Sequence, residues 1–129
     1  MEFTITTTIK ATAKQIYKSW LSTQGHTKMT GGVAFMSDKV GDSFTAWDDY
    51  IKGENLVLEP YNKIVQSWRS TYFEDHEPDS QIEITLSENG DETTLTLKHT
   101  KVPESGEHYI KGWDESYFEP MKTYFEFLK

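Results

Sequence analysis

The sequence contains no cysteine. Disulfides, thiolate metal sites and a cysteine nucleophile are therefore excluded. Long apolar runs are also missing, and none approaches the ~20 residues that cross a bilayer as a helix. The opening MEFTITTTIK has neither a basic leader nor the apolar core of a secretion signal, so a soluble, cytoplasmic protein is expected. Positive charge is scarce: 13 basic residues against 21 acidic ones leave a net charge of −8. No compact Lys/Arg cluster offsets it. Such a surface repels phosphate backbones, which argues against nucleic acid and anionic membranes as partners. A solvated acidic surface that keeps the chain soluble accounts for the charge.

Large rings are what the chain does have. Aromatic residues make up 14% of its 129 residues and hydrophobic residues 36%. A chain of this size suits one domain, residues 1–129, and buries about two-thirds of its unfolded surface, enough for one sizeable core.

Phe3 to Ile9 alternates, with Phe3, Ile5, Thr7 and Ile9 on one face, and reads as a β-branched strand. Thr12 and Gln15 have the spacing of a capping box. Ile16, Tyr17, Trp20 and Leu21 then follow at helical spacing. STQGHTKMTGG holds a short second helix or turn closed by Gly31-Gly32. Strand signals follow at Val33 to Met36, Ser43 to Trp47, Tyr50 to Glu59 (bent near Gly53, where a bulge is expected) and Lys63 to Arg69. Gln81 to Ser87 and Thr93 to Thr100 form the clearest hairpin, with Asn89-Gly90 at a reversal where two positive φ values are expected. From about Gly106 to Leu128, Ile110, Trp113, Tyr117, Met121, Tyr124 and Leu128 recur at steps of three and four. Lys111, Glu115, Glu119, Lys122 and Glu126 take the other side, with weak ion pairs expected for Lys111–Glu115 and Lys122–Glu126. A helix this long spans about 35 Å and is the only element able to cover an antiparallel sheet. Pro120 falls inside it. Its missing N–H predicts a kink that lets the helix follow a curved sheet, or that opens one end of a cavity.

NKIVQSWR (Asn62 to Arg69), ENGDETTLTL, VPES (Val102 to Ser105) and GWDESYFEPM (Gly112 to Met121) carry a likeness that spans nearly the whole chain. The sequence resembles the START-like, helix-grip (SRPBCC) superfamily. Within it, the chain is similar to the C-terminal domain of the activator of the heat-shock protein 90 ATPase. The resemblance implies an α+β fold: a curved antiparallel sheet of about seven strands gripping a long C-terminal helix, with two shorter helices after the first strand. It often comes with a cavity between sheet and helix. In two-domain activators a separate N-terminal domain makes the main chaperone contact, so the part resembled here implies at most a secondary one. Fold alone does not fix function.

An aromatic stripe at helical spacing ordinarily packs as core. Buried tyrosine hydroxyls need partners, however, and so does Gln66, which shares an inward face with Ile64 and Trp68. His99 falls on the face of Leu95 and Leu97. A large apolar lining with a few polar groups is how small-molecule pockets are built. Packed core and cavity both stay open. The cavity candidates are Trp47, Gln66, Trp68, Leu97, His99, Trp113, Tyr117, Met121 and Tyr124.

No catalytic set, metal site or cofactor is expected. His26, His76, His99 and His108 are scattered, and no nucleophile elbow, phosphate-cradling loop or dinucleotide fingerprint occurs. The adjacent pairs Asp48-Asp49 and Glu74-Asp75 point apart. Three functions follow in order. The first is a non-catalytic domain binding a small apolar or aromatic ligand. The second is an interaction module for a heat-shock chaperone in the stress response. The third is an enzyme of the cyclase or aromatase type, with His99 or a tyrosine as its acid or base.

Overall fold

A computed structural model describes residues 1–128. The strands are β1 (Phe3–Ile9), β2 (Ser43–Ala46), β3 (Ile51–Glu59), β4 (Lys63–Ser70), β5 (Ser80–Asn89) and β6 (Glu92–Thr100). They form one antiparallel sheet of six strands in the order β1-β6-β5-β4-β3-β2. Between β1 and β2 lie α1 (Ala13–Leu21) and α2 (Thr23–Thr30). The chain closes with α3 (His108–Trp113), a π-helical segment (Asp114–Phe118) and α4 (Glu119–Phe127), which run on as one rod. Strand faces, α1, α2 and the rod share a single apolar core.

Local chemistry accounts for the helix ends. Thr12 and Gln15 form the reciprocal capping box that opens α1. Gly31, at φ 85°, closes α2 in the left-handed conformation that glycine adopts without steric cost.

The expected seventh strand is absent among the described residues. Val33 to Met36 makes only one bridge, Phe35 to Thr45. The amides on either side are taken by side chains: Thr27 Oγ1 accepts from Ala34 N at 3.0 Å, and Thr23 Oγ1 accepts from Met36 N at 2.9 Å. These two hydroxyls lie one turn apart on α2, so the helix caps the segment in place of a further strand.

The bulge in β3 falls later than expected, with the extra residue at Leu56 between the pairs Asn55↔Gln66 and Val57↔Val65. Gly53 serves a different purpose. A Cβ there would lie 2.0 Å from the Ser67 carbonyl oxygen and 2.5 Å from the Phe44 ring, so only glycine lets these strands close. The β5–β6 loop is Gly90-Asp91, and of its residues Gly90 alone has positive φ, 70°. The turn therefore lies one residue later than expected and needs one positive φ rather than two, because Asn89 still pairs with Glu92 in the ladder and glycine takes the first central position.

The terminal rod buries Tyr109, Trp113, Tyr117, Phe118, Met121 and Phe125. Trp113, Tyr117 and Met121 were expected inside, whereas Ile110 and Leu128 are exposed and Tyr124 is half-buried. The π-helical segment explains the difference. On a 3.6-residue helix a four-residue step drifts by about 40° each time. A turn bonded i→i−5 takes more residues and removes part of that drift, so the face steps in fours from Tyr109 to Phe125. The Glu119 amide donates to the Asp114 carbonyl in this pattern, immediately before Pro120 at the start of α4. Pro120 lacks an N–H, and the wider turn lets the rod pass it. Lys111 pairs with Glu115 at 3.5 Å as expected, while Lys122 pairs with Glu119 at 3.7 Å.

A candidate ligand cleft walled by aromatic rings

α1, β4 and the rod each contribute large rings, and these meet. Trp20 lies 4.9 Å from Tyr117, Trp68 lies 5.0 Å from Trp113, and Trp113 lies 5.0 Å from Tyr117, all between ring centroids. Such offset and tilted pairs contribute about 0.5–1.5 kcal/mol each beyond their area burial. Phe44 from β2 and Trp47 flank the cluster, at 5.7 Å from Trp68 and 6.1 Å from Tyr117.

Beside this cluster is a cleft of about 450 Å³, open to solvent on one side. Six rings line it, from Trp47, Tyr50, Trp68, Tyr109, Trp113 and Tyr117, together with Ile51, His108, Gly112 and Ser116. No Lys, Arg, Asp or Glu is among them.

The outer wall rests on an uncommon backbone. Trp47, Asp48 and Asp49 are all left-handed, at φ 53°, 53° and 69°. Asp tolerates this region; a bulky Trp rarely adopts it. The turn is held by the Asp48 amide on the Val33 carbonyl at 2.8 Å and the Tyr50 amide on the Trp47 carbonyl at 3.1 Å. Gly32 makes room for the indole, since a Cβ there would lie 2.3 Å from the Trp47 ring.

Behind the cleft the polar groups are paired. The Trp113 indole N–H donates to His99 Nδ1 at 3.1 Å. An indole only donates, so His99 carries its proton on Nε2 and donates to Ser80 Oγ at 2.8 Å. Ser80 then donates to the Trp68 carbonyl at 2.5 Å. A second chain uses the other tautomer. His26 Nδ1 donates to the Trp20 carbonyl at 2.8 Å, and Nε2 accepts from the Tyr117 hydroxyl at 2.9 Å. Burial lowers both histidines to about 4. Burial also raises the Tyr117 phenol well above its usual range, with the Trp47 indole offsetting part of the rise. Tyr109, whose hydroxyl bonds Ser70, is pushed up to about 12, mainly by burial. A third chain runs from the Trp20 indole to Gln66 Oε1 at 3.0 Å, from Gln66 Nε2 to Asn55 Oδ1 at 2.9 Å, and from Asn55 Nδ2 to the Ser37 and Lys39 carbonyls at 2.8 and 3.0 Å.

Of the sequence candidates, Trp47, Trp68, Trp113 and Tyr117 line the cleft. Gln66, Leu97, His99 and Met121 are fully buried behind it, and Tyr124 is half-buried away from it. Gln66 finds its partners in Trp20 and Asn55 rather than in a pocket. His99 has both ring nitrogens engaged, which leaves it no lone pair for base chemistry. Sequence reasoning missed Tyr50, Tyr109 and the central place of Trp20. The signal for Tyr109 was its four-residue step from Trp113. Every buried side-chain N or O among the described residues has a hydrogen-bond partner. The same residues hold no group of three or more potential metal ligands and no helix long and apolar enough to cross a membrane.

An HSP90 activator from Plasmodium falciparum superposes with a TM-score of 0.88 at 21% identity, over 98% of this chain and 96% of that one. A Mesorhizobium loti protein matches at 0.83 and 13% identity, over 100% and 99% of the two chains. CalU16 from Micromonospora echinospora matches at 0.80 and 21% identity, over 96% of this chain and 73% of that one. Identities this low establish the fold alone. No curated protein matches the sequence significantly. The family described as "Activator of Hsp90 ATPase homolog 1-like protein" matches residues 10–126, and on that match the chain belongs to this family.

Proposed function

We propose that the protein is a non-catalytic binding domain whose cleft holds a small apolar or aromatic molecule. One observation carries this reading: six aromatic side chains converge on a cleft of about 450 Å³ without a charged residue in its lining. The volume lies within the range of ligand pockets, and an apolar wall with a few polar tips is the usual design. The tips here are Ser116, His108 and the Tyr50 hydroxyl, those of Tyr109 and Tyr117 being bonded to Ser70 and His26. The fully bonded His99 and His26 fit a site that binds rather than reacts. Native mass spectrometry of freshly purified protein, followed by thermal-shift screening of lipids and aromatic compounds, tests it. A co-purified or stabilising molecule that loses its effect in Tyr50→Ala is the expected result. No mass increment and no shift with any compound class would overturn it.

A second reading rests on a separate observation, the family match over residues 10–126. In it, the domain makes a secondary contact with a heat-shock chaperone during the stress response. Pull-down with the host's heat-shock protein 90, followed by an ATPase assay, tests this. Absence of binding at tens of micromolar, the level of about −6 to −7 kcal/mol, would defeat it.

A further inference from the structure

The sheet ends in two outer strands, β2 and β1. β2 is short, four residues, and its outer side is occupied by the Phe35 bridge. β1 is seven residues long, and its register with β6 runs unbroken from Phe3↔His99 to Ile9↔Thr93. Among the described residues no strand bonds its other side. Soluble proteins blunt such an edge with charges, prolines or bulges, because free N–H and C=O groups in a row invite another strand. FTITTTI has none of these. Thr4, Thr6 and Thr8 are exposed on one face, and Phe3 and Ile5 are half-exposed on the other. Beside the edge lies a groove of about 340 Å³ lined by Ile5, Thr6, Ile110, Lys111, Asp114 and Phe118.

We infer that this edge is an interface with a second copy of the chain, whose β1 adds antiparallel about a two-fold axis at Thr6. The flanking charges set that register. Thr6 then faces Thr6 of the second copy, Thr4 faces Thr8, and Glu2 faces Lys10. Glu2 and Lys10 are exposed, and neither makes a salt bridge among the described residues. Moving the axis to Thr7 would set Lys10 against Thr4 and Glu2 against Thr12. Moving it to Ile5 would set Glu2 against Thr8. Only the axis at Thr6 joins both opposite charges, and the two-fold makes the pairing twice. The outer face becomes a threonine ladder, and on the inner face Phe3 meets Ile9 and Ile5 meets Thr7; such cross-strand pairs stabilise a sheet. The groove leaves room on the helix side for the incoming side chains. Two copies that each carry −8 repel over most of their surfaces. The strand itself carries no charge between Glu2 and Lys10 and is attractive at both ends, the only charges of the groove beside it being Lys111 and Asp114, one of each sign, and the surface is self-complementary, as a two-fold interface requires.

The chain has no cysteine, so one introduced thiol reports the register. Thr6→Cys meets its own twin at about 4.5–5.5 Å between Cβ atoms, within reach of a disulfide or a short thiol cross-linker, and forms a covalent dimer. Thr4→Cys alone does not, because its twin is displaced by about 13 Å along the strand. An equimolar mixture of Thr4→Cys and Thr8→Cys cross-links as the mixed pair. Sedimentation equilibrium should find the unmodified chain as a dimer. Lys10→Glu weakens it by about tenfold, and Glu2→Lys combined with Lys10→Glu restores it to within about threefold. A monomer at hundreds of micromolar would overturn the inference. So would a dimer that cross-links through Thr4→Cys alone but not through Thr6→Cys, or one in which the charge swap fails to rescue Lys10→Glu.

Discussion

Trp113 on the terminal rod donates its indole proton to Nδ1 of His99 on β6, at 3.1 Å. That bond settles the His99 tautomer and sends its remaining proton to Ser80, which in turn reaches the Trp68 carbonyl. Three strands and the rod are thereby tied through one chain of protons. The chain joins the cleft's two tryptophans, Trp113 through its indole N–H and Trp68 through its backbone carbonyl.

Replacing Trp113 with Phe keeps a ring but removes the donor. His99 Nδ1 is left buried without a partner, and a gap opens beside Trp68. The expected loss is about 2–3 kcal/mol, read as a lower urea midpoint with unchanged m-value. A loss below about 0.5 kcal/mol would show that the tether contributes nothing to stability.

The two buried histidines make stability depend on pH. Both titrate near 4 in the folded chain against an ordinary 6.5. The unfolded state therefore binds more protons between those values, and the unfolding free energy falls as pH drops through that window. More than about a unit above pH 6.5 both groups are neutral in either state and contribute no slope. At full protonation each accounts for a loss on the order of 3 kcal/mol. His99→Gln, whose amide can both accept and donate, should flatten about half of the slope between pH 6.5 and 4. A variant with the same slope as the unmodified chain would mean that His99 is not held neutral.

Gln66→Leu removes a residue bonded at both ends. The Trp20 indole N–H and Asn55 Oδ1 are left without it, and the expected cost is about 2–4 kcal/mol. Adding Trp20→Phe to that variant removes one orphaned group, so the double loss should fall short of the sum of the singles by about 1 kcal/mol. Additive losses would show that the two side chains are not coupled.

Pro120→Ala should be close to neutral, within about 1 kcal/mol in urea unfolding. A proline forced into a regular helix costs about 3 kcal/mol, but here the wider turn before it already takes up the break, and its position at the start of α4 suits proline. A gain near 3 kcal/mol would show that the proline strains the rod.

Much of the fold was legible because it is encoded in short-range patterns. Alternation marked β1, the hairpin of β5 and β6 followed from apolar runs around a glycine turn, and Thr12–Gln15 announced α1. The segment Val33 to Met36 also has strand-like residues, but its outcome depended on two threonines of α2 that reach its amides. The terminal stripe was half legible. Tyr109 was signalled by its four-residue step from Trp113 within α3, whereas the alignment of that pair with Met121 and Phe125 of α4 depends on the π turn between them. Gln66 was rightly placed inward, yet its partners, Trp20 and Asn55, lie 46 and 11 residues away along the chain, beyond any local pattern.

By itself the sequence determined which segments become strands and helices apart from Val33 to Met36, most of their apolar faces, and that large rings dominate the interior, because those properties depend on neighbours within one turn or one pleat. Tertiary structure alone decided that Trp20, Trp68, Trp113 and Tyr117 form one cluster, that both buried histidines are spent on hydrogen bonds, and that a cleft opens beside Trp47. Those outcomes turn on how distant side chains share space and protons. Such a geometry exists only once the rod has settled on the sheet.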